Sequence, residues 1–572
     1  MKNNFFSKYA ILIIIFMTTI AYANSLLNGF VWDDIWNITS NNFIKSFNNL
    51  PLIFSKAYLV SFGEITYRPV ATLSYFIDYS IWGDRAFGFH LSNLLLHIFN
   101  ASLLYLLVNL ISANVKLALL TALLFSLHPV NSEAISVVSF REDLWACFFY
   151  LLSFILYIQS ARLLKQKINY LYGAGLFSFA LALFSKEMAV TLPLMLIAYD
   201  YFFVFQEDRR KLLGSFKSRY LGFVLVGLFY LWVEFFLMKN SAAPELVYPG
   251  GSFYTNLLTM SRVLVHYIYL AFFPIYTHLI LHGNNFISHS FFTPPVFFCT
   301  LLIIISFFAG YKIKRFSKEM SFSIYWFFIA LLPVSNIVLI NNFVANRYLY
   351  IPIIGFCFFL AVFLLKLPSF HIFSLRKETL LKISKNAIII LLIFYSMFSL
   401  IRNRSYRDSI SLWSEMTDIY PDSFEAHSYL AYGFFSSNLY DKAIQEYNTA
   451  INLTPPGFIT EDYMYLGLCY YAQGMPVQAL EAFNKALESN PGSGQLYFYL
   501  GSVFKDQGSY TKAIDYFLRA IELDPDLVKA YNGLGVIYAK MDDRQTAEKY
   551  WQKALAIDPD NKEVLQNLIK SK

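Results

Sequence analysis

From Tyr9 to Leu27 the chain reads "YAILIIIFMTTIAYANSLL" without one charged side chain, and blocks of the same kind recur up to Ile401. Such blocks lack the polar face that a surface helix turns to water. In a bilayer they are satisfied, because a helix pairs its backbone polar groups within itself. The pattern excludes a soluble globular chain and predicts a polytopic helical membrane domain. Of the 572 residues, 57% are hydrophobic and only 15% charged, more apolar surface than one soluble core of this size uses.

The first block is long for a secretory signal and shows no small-residue cleavage site. It reads as an uncleaved first span, with Lys2 and Lys8 holding the N-terminus inside. The net charge of +7 does not point to nucleic acid, because the basic residues sit in short segments between apolar blocks, as in cytoplasmic loops. Cys147, Cys299 and Cys357 fall in apolar runs and Cys469 in a polar helix, with neither metal-ligand spacing nor a disulfide framework.

Past Ile401 the composition turns polar and a repeat appears. Leu466-Gly467, Leu500-Gly501 and Leu534-Gly535 recur at 34-residue intervals, the period of tetratricopeptide repeats. Fixed offsets then bring Ala479, Phe483, Ala486 and Pro491; Ala513, Phe517, Ala520 and Pro525; and Ala547, Trp551, Ala554 and Pro559. A fourth copy carries Leu430, Ala431, Phe434, Ala443, Tyr447, Ala450 and Pro455. Small residues let paired helices approach, the aromatic fills the seam, and proline ends the second helix. The turns fall at Asn438, Gly474, Gly508 and Asp542, types that tolerate a left-handed backbone. The predicted division is a membrane domain over 1–401, a linker with a degenerate half repeat over 402–422, and four repeats over 423–572. Tyr432, Phe435, Tyr471 and Phe498 map to the concave face, as an acceptor groove for an extended polypeptide or as packing between repeats.

Four basic clusters fix the topology: Arg162 to Lys167, Arg209 to Arg219, Lys312 to Lys318, and Arg376 to Lys385. Placing all four in the cytoplasm gives about eleven crossings, provided that Thr255 to Pro274 dips in or lies flat. The repeats then lie opposite the N-terminus. Asp33-Asp34, Tyr67-Arg68, His128 to Asp143, Lys186-Glu187 and Asn346-Arg347 fall on that same outer side.

Each of these has a plain reading. "WDDIW" can be a solvated loop with tryptophan anchors, Arg141 can pin two helices through a carboxylate, and Lys186-Glu187 can be a helix-end ion pair. Arg347 can snorkel. Together, outer carboxylates and outer cations suit transfer from an anionic membrane-bound donor. A carboxylate takes the proton of an acceptor hydroxyl while guanidinium and ammonium groups hold the departing phosphate.

The stretches "FVWDDIWNI", "YRPVATLSYFIDYSIWG", "GFHLSNLLLHIFNASLLY", "LHPVNSEAISVVSFREDLW", "FSKEMAVTLPLML" and "NRYLYIPIIGFC", in that order and followed by the repeats, resemble one family. It is that of the transmembrane and tetratricopeptide-repeat-containing proteins, membrane glycosyltransferases of the GT-C superfamily related to protein O-mannosyltransferases. The resemblance implies an all-α chain with a GT-C-type membrane domain and a C-terminal repeat solenoid. It implies inverting transfer of a hexose, mannose among the candidates, from a polyprenyl-phosphate donor to a protein Ser or Thr hydroxyl. The catalytic first outer loop would span about 28–88. Asp34 is taken first as the base and Asp33 second, with Asp143 the acidic residue of the second outer loop. Arg68, Arg347, Lys186 and Arg141 are expected on the donor phosphate, and His90, His128, Glu133, Glu142 and Glu187 as cavity lining.

No metal or other cofactor is implied, and the partners are a lipid-linked donor and a protein acceptor, with no nucleic acid. The sequence departs from the family at Asn346 and Phe140, and at His278 and His282 where a "DY" pair is usual; these bear on donor choice. Richness in Asn, Lys, Ile and Phe points to a bacterial inner membrane with the repeats in the periplasm; in a eukaryote the same topology gives the ER membrane and lumen. The rivals are a membrane-anchored repeat scaffold without activity, and an enzyme of the same fold acting on a lipid or glycan.

Overall fold

The structure, a computed structural model, describes residues 2–56, 58, 67–162, 170–206, 208–238, 247–276, 283–340, 342–369, 376–455 and 461–571. Among them the regular elements are all helical. Lys165, Lys167, His278 and His282 lie outside these residues. The chain divides into two compact units, Met1–Leu412 and Trp413–Lys572. The last apolar helix, Lys377–Ser405, runs past Ile401, so the linker's first residues stay with the membrane unit.

In the first unit seven helices are long and apolar enough to cross a membrane: Lys8–Leu27, Ala86–Ser112, Val138–Ala161, Glu187–Val204, Pro294–Ile313, Pro352–Ser369 and Lys377–Ser405. Val115–Leu127 and Pro129–Ser136 make an eighth if their 49° bend counts as one span. Reaching about eleven takes in the shorter apolar helices Tyr170–Leu183 and Leu221–Leu237, and Lys318–Ala330 besides. The segment expected to dip forms the helix Phe253–Phe272, started by a Ser252–Thr255 capping box; it is not among the long apolar set.

Helices in lipid gain little from hiding apolar surface against each other, so close packing holds them. Gly355 shows this: a β-carbon there would run into the Ser323 carbonyl and the Phe327 amide of the neighbouring helix. Internal polar side chains also tie the helices together. His97 sets Nδ1 2.6 Å from the Tyr350 hydroxyl and Nε2 3.0 Å from the Ser126 carbonyl, and Asn100 donates to the Leu144 carbonyl.

The second unit is a run of helix pairs: Phe424–Ser436 with Tyr440–Leu453, Asp462–Ala472 with Pro476–Ser489, Gly494–Asp506 with Tyr510–Leu523, and Val528–Lys540 with Arg544–Ile557, closed by Lys562–Ser571. The four turn residues take positive φ: Asn438 at 58°, Gly474 at 71°, Gly508 at 75° and Asp542 at 62°. Gly501 lies so close to the Phe517 ring that any side chain would collide with it. Before the first pair, Trp413 of the helix Ser409–Ile419 stacks on Tyr429 at 4.4 Å.

Candidate active site

Several site residues fall at helix starts, two of them shortly before a proline. Arg68 immediately precedes the helix Pro69–Trp82, whose Pro69 suits a first turn. Helix Arg141–Arg162 opens with Arg141, Glu142 and Asp143; acids suit that end, where backbone N–H groups are unpaired. Lys186 sits in extended backbone between two helical segments, and Arg347 in the short turn Asn346–Leu349 ahead of Pro352.

These ends carry an ion network and, at Arg347, a further ion pair. Arg68 bonds Glu142 and reaches Glu187 at 3.3 Å. Lys186 lies 2.9 Å from Glu142 and 2.7 Å from Asp143. Arg347 meets Glu133 at 3.0 Å and covers the Phe140 ring at 3.9 Å; Trp32 and Tyr348 complete its aromatic wall. Burial opposes the charge on Lys186, but Asp143 and Glu142 overcome it and raise its pKa. Glu187 is the open member, its side chain 34% exposed.

The adjacent aspartates part company. Trp32 takes φ 52°, a left-handed conformation that costs a bulky L-residue roughly 1–2 kcal/mol, and Asp33 and Asp34 follow it. Asp34 is fully buried and accepts backbone N–H bonds from Val31 (3.2 Å), Val138 (3.1 Å) and Ser139 (2.6 Å). Burial pushes its pKa up to about 6 against the pull of those amides. Asp33 is half-buried and takes part in no hydrogen bond or ion pair within 4.0 Å among the described residues. Burial raises its pKa, Arg347 and Arg68 work to lower it, and Glu142 and Glu133 add to the rise.

Of the expected site residues, the structure gathers Asp33, Arg68, Glu133, Glu142, Asp143, Lys186, Glu187 and Arg347. It turns Arg141 away from them. Arg141, 1% exposed, pairs with Asp78 at 2.6 Å and donates to Asn93, Ser74 and the Phe89 carbonyl. With Nε and both terminal nitrogens engaged, it is a pin between helices rather than a phosphate ligand. His90 and His128 are fasteners rather than cavity lining: His90 Nε2 meets the Gly29 carbonyl at 3.2 Å. His128 Nε2 meets the Ala271 carbonyl at 3.1 Å, while Nδ1 accepts from the Val130 amide.

Sequence reasoning missed Asp78, Asn93 and Glu234. Glu234 accepts the Tyr67 amide at 3.4 Å and lies within electrostatic reach of Arg68 and Glu187. The signal was present, since a lone acid in "SYFIDYSIW" or "LWVEFFLM" is as costly in an apolar helix as any outer carboxylate. Elsewhere in the helical unit, a cavity of about 200 Å³ has walls that include Ala271, Phe272, Phe327, Gly355, Phe356 and Phe359. Phe356 also packs on His128.

In the repeat unit all four groove residues are half-buried. Tyr432 and Phe435 pack on Tyr465 at 5.2 and 5.6 Å, and Phe498 stacks on Phe517 at 5.7 Å. Tyr471 donates its hydroxyl to Asp506. Three of the four therefore spend a ring face on the seams between helices.

The TPR repeat model matches residues 501–542 and the tetratricopeptide repeat model matches 461–493 and 528–561. A protein O-mannosyl-transferase of Caenorhabditis elegans is 25% identical over 466 residues, 78% of this chain and 63% of that protein. Human protein O-mannosyl-transferase TMTC3 is 22% identical over 515 residues, 84% of this chain and 55% of its own. Drosophila melanogaster Tmtc2 is 33% identical over 190 residues, 32% of this chain and 20% of its own. A crystal structure of MamA covers 26% of this chain and 86% of its own at 25% identity and a TM-score of 0.25. The chain thus spans between about half and two-thirds of the length of the relatives that match most of it. Helical membrane unit, repeats and relatives in one order fit the transmembrane and tetratricopeptide-repeat-containing family.

Proposed function

We propose that this protein is a membrane glycosyltransferase that moves a hexose, mannose by analogy with its relatives' names, from a polyprenyl-phosphate donor to Ser or Thr hydroxyls of a protein acceptor. The observation that carries this is one carboxylate, Asp33, left without hydrogen bonds among the described residues beside the cations Arg347 and Arg68. Asp33 takes the hydroxyl proton, and the freed oxygen attacks the anomeric carbon from the face opposite the phosphate. The sugar–oxygen bond breaks with its electron pair going to the phosphate, which Arg68, Lys186 and Arg347 stabilise. A phosphate leaves without a proton, so one base and the cations suffice, and the reaction is proposed to need no metal. Asp34 becomes the residue that orients Asp33, because its oxygens already accept three amides.

The cavity walled by Phe272, Phe327, Gly355 and Phe356 is nearly all apolar, which suits an isoprenoid tail. The repeats are proposed to hold the acceptor polypeptide, and the reaction to take place on the extracytoplasmic side, the periplasm in a bacterium. Purified full-length protein, given polyprenyl-phosphate mannose and an exported Ser/Thr-rich polypeptide, should add hexoses that mass spectrometry locates. Chelator should leave the rate unchanged. No addition with any polyprenyl-phosphate hexose would sink this reading.

A further inference from the structure

The outer end of the last apolar helix is stitched to the loop that carries Asp33. Asn403, fully buried, donates its amide to the Ala21 carbonyl and to Asn24 Oδ1, each at 3.0 Å, and its Oδ1 accepts from the Ser136 hydroxyl at 3.2 Å. Asn28 donates to the Asn403 carbonyl at 3.1 Å, Asn24 to the Leu400 carbonyl at 2.9 Å, and the Gly29 amide to the Arg407 carbonyl at 2.8 Å.

We propose that Asn403 is a positioning residue for the transfer reaction, holding the first and second outer loops in the register that keeps Asp33 beside Arg347; this rests on reading Asp33 as the base. The two loops are joined twice. At one end Ser136 meets Asn403; at the other, Asp34 takes the amides of Val138 and Ser139. The Trp32 turn and Asp33 lie between Gly29, which is tied to Arg407, and Asp34, which is tied to Val138 and Ser139. A segment anchored at both ends over so few residues fixes the direction of what it carries. Asn403 uses its oxygen and its amide nitrogen in buried surroundings, so no other side chain reproduces the set. Aspartate lacks the donors, and leucine lacks everything but the shape.

Full-length wild type, Asn403→Leu, Ser136→Ala and Asp33→Asn are to be assayed with polyprenyl-phosphate mannose and a Ser/Thr peptide, with thermal unfolding measured alongside. The expected result is a kcat loss of about 10²-fold in Asn403→Leu, the effect of an ångström of misplacement. Ser136→Ala, missing one bond, should lose roughly twofold to tenfold. Donor KM should stay within about twofold, because neither residue touches the donor site. The acid limb of kcat/KM should also move toward the ordinary carboxylate range as water reaches Asp33, whose charged neighbours Arg347, Arg68, Glu142 and Glu133 are unchanged. A purely structural role would lower the yield or unfolding temperature but leave kcat and that limb in place. Should Asn403→Leu not fold, Ser136→Ala decides by the same two readouts. Transfer lost in Asp33→Asn but full in both loop variants overturns the clasp alone; transfer undiminished in Asp33→Asn overturns the base reading and the clasp with it.

Discussion

Asp34 accepts the backbone amide of Ser139 at 2.6 Å, so the carboxylate after the first apolar helix belongs to the 128–143 segment as much as to its own loop. That bond separates the roles of two neighbours that sequence alone presents as equals. Asp33→Asn should keep normal membrane levels and lose about 10²-fold or more of its transfer rate, the usual weight of a general base. Asp34→Asn should instead lower the unfolding temperature, because an amide cannot accept all three N–H groups and each one left unmet costs about 1–3 kcal/mol. Loss of activity at full stability in Asp34→Asn would reverse the assignment.

Glu187 holds one side of Arg68 at 3.3 Å while remaining partly exposed. It engages an Arg68 nitrogen that a phosphate would need. Glu187→Gln should tighten donor binding by roughly twofold to fivefold, in keeping with a partly solvated pair, with kcat unchanged. Titration with polyprenyl phosphate reads it directly; weaker binding in the variant would mean that Glu187 contacts the donor itself.

Arg141 should matter for folding and not for chemistry. Arg141→Ala strands Asp78 as a buried charge, a loss of about 3–5 kcal/mol, and should deplete the protein from membranes. Arg141→Met combined with Asp78→Leu removes both charges and should recover most of the folded protein together with its activity. A double variant that folds but transfers nothing would return Arg141 to the active site.

The two aspartates give pH effects of different kinds. Transfer needs ionised Asp33, so the rate should fall as pH drops through a midpoint above the ordinary aspartate value, since burial raises its pKa. Arg347 favours the ionised form, so Arg347→Gln should move that midpoint to still higher pH. Asp34, with a folded pKa of about 6, is above its unfolded value. Its contribution to stability is full below the unfolded value and is lost as pH rises through about 6. Unfolding temperatures should be higher at pH 5 than at pH 7.5 on this account, and Asp34→Asn should remove that difference.

The side of the membrane can be read without any substrate. A reporter fused after Lys572 should be active only outside the cytoplasm. Cytoplasmic activity would reverse the orientation and put Asp33 on the wrong face for an exported acceptor, because Gly29 of its loop is bonded to Arg407 just past the end of the last apolar helix.

Periodicity made most of the fold legible. The 34-residue repeat located the helix pairs and the four left-handed turns, because that backbone is open only to a few residue types. The apolar blocks marked the long apolar helices; Lys318–Ala330 is short, and burial by neighbours replaces length there. At the site, the cost of charge in lipid picked out Arg68, Glu133, Lys186 and Arg347. It could not separate Arg141 from these, nor Asp33 from Asp34, because what distinguishes them is which groups bond to them. Asp78, Asn93 and three backbone amides lie far away along the chain or carry no side-chain signature.

Trp32 ties the reactive loop to a conformation that its own backbone resists, and its ring leans on Phe140 at 5.2 Å and under Arg347. The consequence concerns anyone selecting hardier forms of this protein. Trp32→Gly would relieve the turn and could survive a heat screen while it removed the aromatic wall beside Arg347. Ranking variants by heat tolerance alone would then favour a change that disarms the loop.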